Sequence, residues 1–225
     1  MKNLTKLLVA LFIFTFATET FAQRIGIRAG AVMSNMLMKD DEDTYSDDFK
    51  LKPGFTVGVV GEIAFNDNFY FEPGLMLTTK GYKLNSEETI MGFTVKTDAS
   101  SNPLYLDIPL NFKIATEIGD EVKLYGVAGP YIGIGLTGKV KSKVEVLGEV
   151  EEDNSSISWG SDADNDDLKR LDFGVTVGAG AEFGPLQAGL FYSLGLANIS
   201  SYTDGGATIS NRVMGLNVTW FFGEN

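Results

Sequence analysis

Residues 170–184 read RLDFGVTVGAGAEFG, and their positions separate in twos. Leu171, Phe173, Val175, Val177, Ala179, Ala181 and Phe183 are apolar, while Asp172, Gly174, Thr176, Gly178, Gly180 and Glu182 alternate with them. Period two marks a β-strand, because successive side chains leave opposite faces of the pleat. Glycine weakens a strand and has no side chain to pack. A face of Gly and Thr with charges near its ends therefore fits a narrow enclosed space, and the apolar face then meets a greasy surround.

The same alternation predicts eight strands. The first spans 24–32, with Ile25, Ile27, Ala29 and Ala31 on one face. The next four span 55–65, 69–82, 104–114 and 122–137, the fourth being LYLDIPLNFKI with Leu104, Leu106, Ile108, Leu110, Phe112 and Ile114 in phase. The glycine-rich segment is the sixth, and 186–199 and 212–222 complete the set. Pro109 removes a ladder hydrogen bond from the fourth strand, which predicts a bulge there. Connections after strands two, four and six are short (66–68, 116–121, 184–185). Those after strands one, three, five and seven are long (34–53, 83–103, 138–169, 200–211).

Strict alternation of short and long connections is the asymmetry of outer-membrane barrels, with periplasmic turns and extracellular loops. The pattern thus predicts an all-β fold: an eight-stranded antiparallel up-and-down transmembrane β-barrel of the small OmpA/OmpX size. Phe65, Phe69, Phe112, Phe183, Trp220 and Phe222 all fall beside the short turns or the C-terminus, as expected of an aromatic girdle at one membrane interface.

The N-terminal stretch agrees with export. Lys2 and Lys6 precede an apolar run at 7–16, and small residues surround Phe21. This is the layout of a secretory signal peptide, predicted to occupy residues 1–22 with cleavage after Ala22. The barrel domain then spans 23–225, in the outer membrane of a Gram-negative bacterium. Removing Lys2, Lys6 and Glu19 leaves 16 basic and 29 acidic residues, a net charge of −13. Bulk charge of that sign argues against nucleic acid or anionic lipid as partners. Outer-membrane lipid and lipopolysaccharide, and secretion or envelope proteins, remain the partners expected of a monomeric barrel.

An eight-stranded barrel has an interior just wide enough for side chains. The long polar residues assigned to that interior are Arg24, Arg28, Glu62, Glu72, Lys80, Asp107, Lys113, Asp172, Glu182 and Arg212. Both signs are present, and buried charges must be paired, so these residues predict a plug of ion pairs rather than a pore.

Five segments carry a family resemblance: FYFEPGLMLTTKG (69–81), LYLDIPLNFKI (104–114), YGVAGPYIGIG (125–135), RLDFGVTVGAGAEFG (170–184) and YSLGLANIS (192–200). The chain resembles the PorT-like outer-membrane β-barrel family over nearly its whole mature length. That resemblance implies a barrel and, through the member that gives the family its name, an association with protein secretion. It carries over no catalytic motif.

The chain contains neither His nor Cys, which removes Ser-His-Asp hydrolysis, thiol catalysis and the usual zinc sites. A non-enzymatic chain without cofactor is therefore expected. Fifteen acidic residues crowd two long connections, Asp40–Asp43 with Asp47 and Asp48, and a second group from Glu145 to Asp167. DADNDD at 162–167 places Asp162, Asp164 and Asp166 like the first positions of a calcium loop. Asp167 stands where that loop needs Gly and Phe173 where it needs Glu, so the three are weak metal candidates at most and a solvated, mobile loop is expected. Three roles remain: an envelope or surface-interaction barrel, an accessory of secretion, or a soluble lipocalin-like carrier. The carrier requires an apolar interior and a polar exterior, the opposite phase.

Overall fold

A computed structural model of the chain describes residues 23–45, 49–90, 93–119, 122–146 and 149–223. The expected signal peptide, residues 1–22, lies outside the described residues. Thirteen strands are present among these: β1 (Gln23–Lys39), β2 (Phe49–Lys50), β3 (Lys52–Ala64), β4 (Phe69–Thr79), β5 (Tyr82–Ile90), β6 (Phe93–Ser101), β7 (Leu104–Ile118), β8 (Val122–Thr137), β9 (Lys139–Val146), β10 (Glu149–Ser156), β11 (Leu171–Phe183), β12 (Leu186–Gly195) and β13 (Thr208–Phe222).

Eight of them close into an antiparallel barrel in the order β1-β13-β12-β11-β8-β7-β4-β3. Each is the chain neighbour of the next barrel strand, and β1 seals the sheet against β13 through Ile27↔Trp220 and fourteen further pairs. Closure leaves no unpaired edge in a medium that offers no hydrogen bonds. Alternation decides the facing. Ile25, Ile27, Val57, Val59, Val175, Val177, Leu216 and Val218 are exposed on the outside, while Arg24, Arg28, Thr56, Val60, Thr176 and Thr219 are buried within. No helix among the described residues is long and apolar enough to cross a membrane; the crossing belongs to the strands.

The short turns form as their sequences direct. Asn66 Oδ1 accepts hydrogen bonds from the amides of Asn68 and Phe69, both at 3.0 Å, an Asx turn that reverses β3 into β4. Gly184, at φ +56°, turns β11 into β12. Pro109 does not create the expected bulge. The pairs Pro73↔Leu110 and Met76↔Asp107 keep one register across it, because Pro73 stands on the facing strand and the ladder merely lacks bonds there. The irregularity in β7 falls instead between Leu104 and Tyr105.

Two of the long connections are not mobile loops. β5 pairs with β6 and β9 with β10, the two pairs lie side by side through β6 and β9, and β2 adds to one side. The result is a second sheet, β10-β9-β6-β5-β2, that continues the barrel wall beyond the membrane. The segment 157–169 then folds inward over the barrel end. Ile157 and Leu168 pack with Met36, Ala197 and Ile199, and Tyr82, Val140, Trp159 and Ile209 close around them. The Trp159 ring meets Tyr105 edge-on at 5.5 Å and lies directly over Gly135, where any Cβ would overlap it.

A Gly135→Val substitution is accordingly expected to expel Trp159 while leaving the barrel closed. The heat-dependent mobility shift of the folded barrel should persist, Trp fluorescence should move to the red, and protease should cut within 157–168. Unchanged cleavage would refute the packing of this cap.

Candidate functional site

The lumen is the most heavily built polar site of the molecule, and it is arranged in three tiers from the turn end to the loop end. At the turn end β1, β3, β7 and β11 each contribute one charge. Arg24 Nε meets Glu62 at 2.7 Å and its other arm meets Glu182; Lys113 Nζ meets Glu182 at 2.8 Å and also meets Glu62. Two cations and two carboxylates alternate around a square, so each ion has two opposite neighbours. Phe221 underlies Arg24 with its ring 4.2 Å from the guanidinium, and Tyr70 and Tyr125 face the Lys113 ammonium at 4.9 and 5.4 Å.

Four residues further along β1, Arg28 fans its nitrogens to Glu72 (2.8 Å), Thr219 (2.7 Å) and Gln187 (2.9 Å). Nearest the loop end, Lys80 lies between Asp107 (2.8 Å) and Asp172 (3.0 Å). Asp172 also accepts from the Tyr131 hydroxyl at 3.2 Å and from the Asn211 amide at 2.9 Å, and the rings of Tyr105 and Tyr131 flank the ammonium at 4.5 and 4.6 Å. A cavity of about 70 Å³ separates the upper two tiers, with Arg28, Asp107, Asn111, Tyr131 and Asn217 in its wall. That volume is roomy enough for ordered water.

Nine of the ten residues assigned to the interior from sequence thus meet in this network. Arg212 does not. It shares the phase of Met214 and Leu216, so alternation turns it outward, between Asn35 of β1 and Leu194 of β12. It is half-buried at the upper edge of the apolar band, and among the described residues it forms no ion pair. The aromatic partners Tyr70, Tyr105, Tyr125, Tyr131 and Phe221 were not among the assigned residues. Their inward phase was the available signal, together with the preference of cations for ring faces.

The six residues expected to form a girdle all lie on the outside of the barrel. Phe65, Phe69, Phe112, Phe183, Trp220 and Phe222 are each 49–60% exposed on the outer surface, and Phe112 touches Phe71 with ring centroids 5.4 Å apart. The acidic segment at 162–167 is different. Asp162 accepts from the Asp164 amide and the Asn165 side chain, Asp166 accepts from the Asp162 amide, and Asp167 accepts from the Ser158 amide. Those hydrogen bonds hold the Asp162 carboxyl below the usual carboxylate range. The carboxylates are thus turned to their own backbone, and among the described residues no group of three or more metal-ligating side chains converges.

The comparisons with known proteins agree with this architecture. The model of the outer membrane protein beta-barrel domain matches residues 21–201. Similar solved structures include Ail, the attachment invasion locus protein of Yersinia pestis, in complex with the heparin analogue sucrose octasulfate. It is 18% identical, with 89% of this chain and 99% of that one covered and a TM-score of 0.36. Neisserial surface protein A is 12% identical over 88% of this chain and 97% of its own, with a TM-score of 0.38. The outer membrane protease OmpT from Escherichia coli is 8% identical over 91% and 99%, with a TM-score of 0.34. With a protease among the similar barrels, the expectation of a non-enzymatic chain does not stand. No curated protein matches the sequence.

Breaking the square at the turn end should be costly. Lys113→Met leaves Glu62 and Glu182 to share Arg24, and removing one partner of a buried pair typically costs about 3–5 kcal/mol. Denaturant unfolding in detergent should show that loss, and Lys113→Met combined with Glu182→Gln should lose less than the single change.

The closed eight-stranded barrel, its outward apolar band and the matched model lead to one conclusion: the chain belongs to the outer membrane protein beta-barrel domain family and resides in the outer membrane of a Gram-negative bacterium.

Proposed function

We propose that this protein is a surface-interaction barrel, with a lumen plugged by ion pairs and an acidic sheet edge offered to partners outside the cell. The observation that carries the reading is strand β10. It pairs with β9 along one side only, every residue from Glu149 to Ser156 is exposed, and Glu149, Glu151, Glu152 and Asp153 lie along it. An open edge provides a row of backbone donors and acceptors that an extended segment can join as a further strand. Its charge selects a basic segment and repels a second copy of itself.

The lumen supports the same division of labour. Ion pairs cross it at three levels, the cap at 157–169 lies over the outer end, and the space between is the size of a few waters. Transport through the barrel is then not its task, and the outward-reaching sheet is. An accessory place in protein secretion, which the PorT-like motifs imply, is less favoured. Two of the segments that carry that resemblance, 125–135 and 170–184, pair with each other as staves β8 and β11 and are accounted for by the barrel wall itself.

Cells displaying the protein should adhere to a surface coated with a cationic extended peptide. Replacing Glu149, Glu151 and Glu152 by Gln and Asp153 by Asn should abolish most of that adhesion without changing the amount of folded barrel. Equal adhesion of the variant would overturn the reading.

A further inference from the structure

The chain is strongly acidic overall, but the outer face of the second sheet sorts its charges by height. Across the strands run three rows. In the highest, Lys96 stands between Glu87 and Glu145. In the middle row Asp98 neighbours Lys143, which forms a 3.1 Å salt bridge with Glu152. The lowest row reads Lys50, Lys83, Ser100, Lys141 and Asn154. It contains three lysines and no carboxylate. Lys139 lies two residues below Lys141 on the same face.

These lysines are exposed, and among the described residues none of the four forms a salt bridge. Lys50 and Lys83 are direct cross-strand partners. Like charges placed so are destabilising, unless an anion lies between them. Lys141 stands two strands from Lys83, roughly 10 Å at ordinary strand spacing.

Height identifies the anion. Lys50 directly precedes Leu51, and Lys139 follows Leu136 by three residues. Leu51 and Leu136 are both exposed on the outer surface at the top of the apolar band. The row therefore stands where lipid tails end and headgroups begin. We propose that Lys50, Lys83, Lys139 and Lys141 form a binding row for the phosphate groups of an outer-leaflet glycolipid. The lipid's tails lie against the apolar band beneath, and its phosphates bridge the opposed lysines. Long lysine stems along apolar surface with their heads at the interface suit this placement. The row depends on the orientation of the barrel in the membrane and not on the acidic edge of β10, so its failure would leave the surface-interaction reading intact.

The test is lipid retention by the purified protein in detergent, read by native mass spectrometry. Diphosphorylated lipid A and its dephosphorylated form serve as probes. The wild type should retain the phosphorylated lipid and release the other. A Lys50→Gln, Lys83→Gln, Lys141→Gln variant should lose retention by roughly fivefold per lysine removed, the strength of a basic residue at an anionic surface. The corresponding Arg variant should keep it, as should Lys123→Gln at the turn end, where Lys123 pairs with Glu117 at 3.4 Å. Lys83→Gln alone relieves the like-charge contact with Lys50, so it should fold at least as well as the wild type and still lose lipid. Retention of phosphorylated lipid at the wild-type level by Lys83→Gln and by the triple Gln variant, or equal retention of both lipids by the wild type, would overturn the proposal.

Discussion

Charge enclosed in a narrow lumen is the constraint on which the rest of this barrel depends. A lumen filled by side chains has no room for the hydration shell that an isolated ion needs, and an unpaired charge there is expensive. Arg24, Arg28, Lys80 and Lys113 must therefore find Glu62, Glu72, Glu182, Asp107 and Asp172. The single excess negative charge falls at the loop end, where one lysine faces two aspartates. There the Tyr131 hydroxyl and the Asn211 amide supply the missing donors to Asp172, and the two tyrosine rings enclose the ammonium. The lysine and both neutral donors converge on Asp172 Oδ2, while Oδ1 accepts no hydrogen bond among the described residues.

The same pairs fix the register. A strand that slips by one residue exchanges its two faces. For β1 such a slip would carry Arg24 and Arg28 into lipid, at a cost that rises from about 0–1 kcal/mol near the interface, where Arg24 stands, toward about 2–4 kcal/mol at the midplane, and would bring Ile25 and Ile27 among the carboxylates. Buried pairs add little net stability when compared with apolar packing. Their contribution here is specification, because Arg24 bonds both to adjacent β3 and to β11 across the lumen. Glycines make the arrangement fit. At Gly58 and Gly129 a Cβ would run into the backbone of the neighbouring strand, and at Gly133 it would meet Asp107 and crowd Lys80 and Asp172.

Much of this was legible because period two reports facing directly. The barrel order, the girdle and nearly the whole ion network follow from counting positions in twos. Arg212 shows what happens when charge is weighed above phase: its parity with Met214 already turns it to the outside. Pro109 reads as a bulge only when β7 is considered alone, since Pro73 on the facing strand is a non-local partner. The second sheet was harder to see. Residues 139–146, KVKSKVEV, set Val140, Val144 and Val146 against Lys139, Lys141, Lys143 and Glu145, and 93–99 set Phe93, Val95 and Ala99 against Thr94, Lys96 and Asp98, so period two is present there, but in short runs interrupted by Ser142 and Thr97. They are ordered by pairing between distant segments, β6 with β9, and by the apolar cap at their base. Tyr82 and Val140 are the few residues that announce it.

Net charge misleads for a related reason. A total of −13 speaks against anionic lipid only if charges mix at random over the surface, and strands do not allow that. Alternation assigns each charge to a face, and pairing assigns it to a height. Of the mature chain's basic residues, four are sequestered in the lumen, while Lys50, Lys83, Lys139 and Lys141 share one outer face just above the apolar band. The acidic residues of β10 lie on the same sheet at its far edge, and Lys143 and Glu152 neutralise the middle row between them. At the Debye length of physiological salt, roughly 8 Å, Lys83 and Lys50, three and four strands from β10, act as a separate electrostatic surface, while Lys139 and Lys141 stand on the strand next to it and are set apart from its carboxylates by height. One chain can thus face phosphate at the membrane and basic chains beyond it without contradiction.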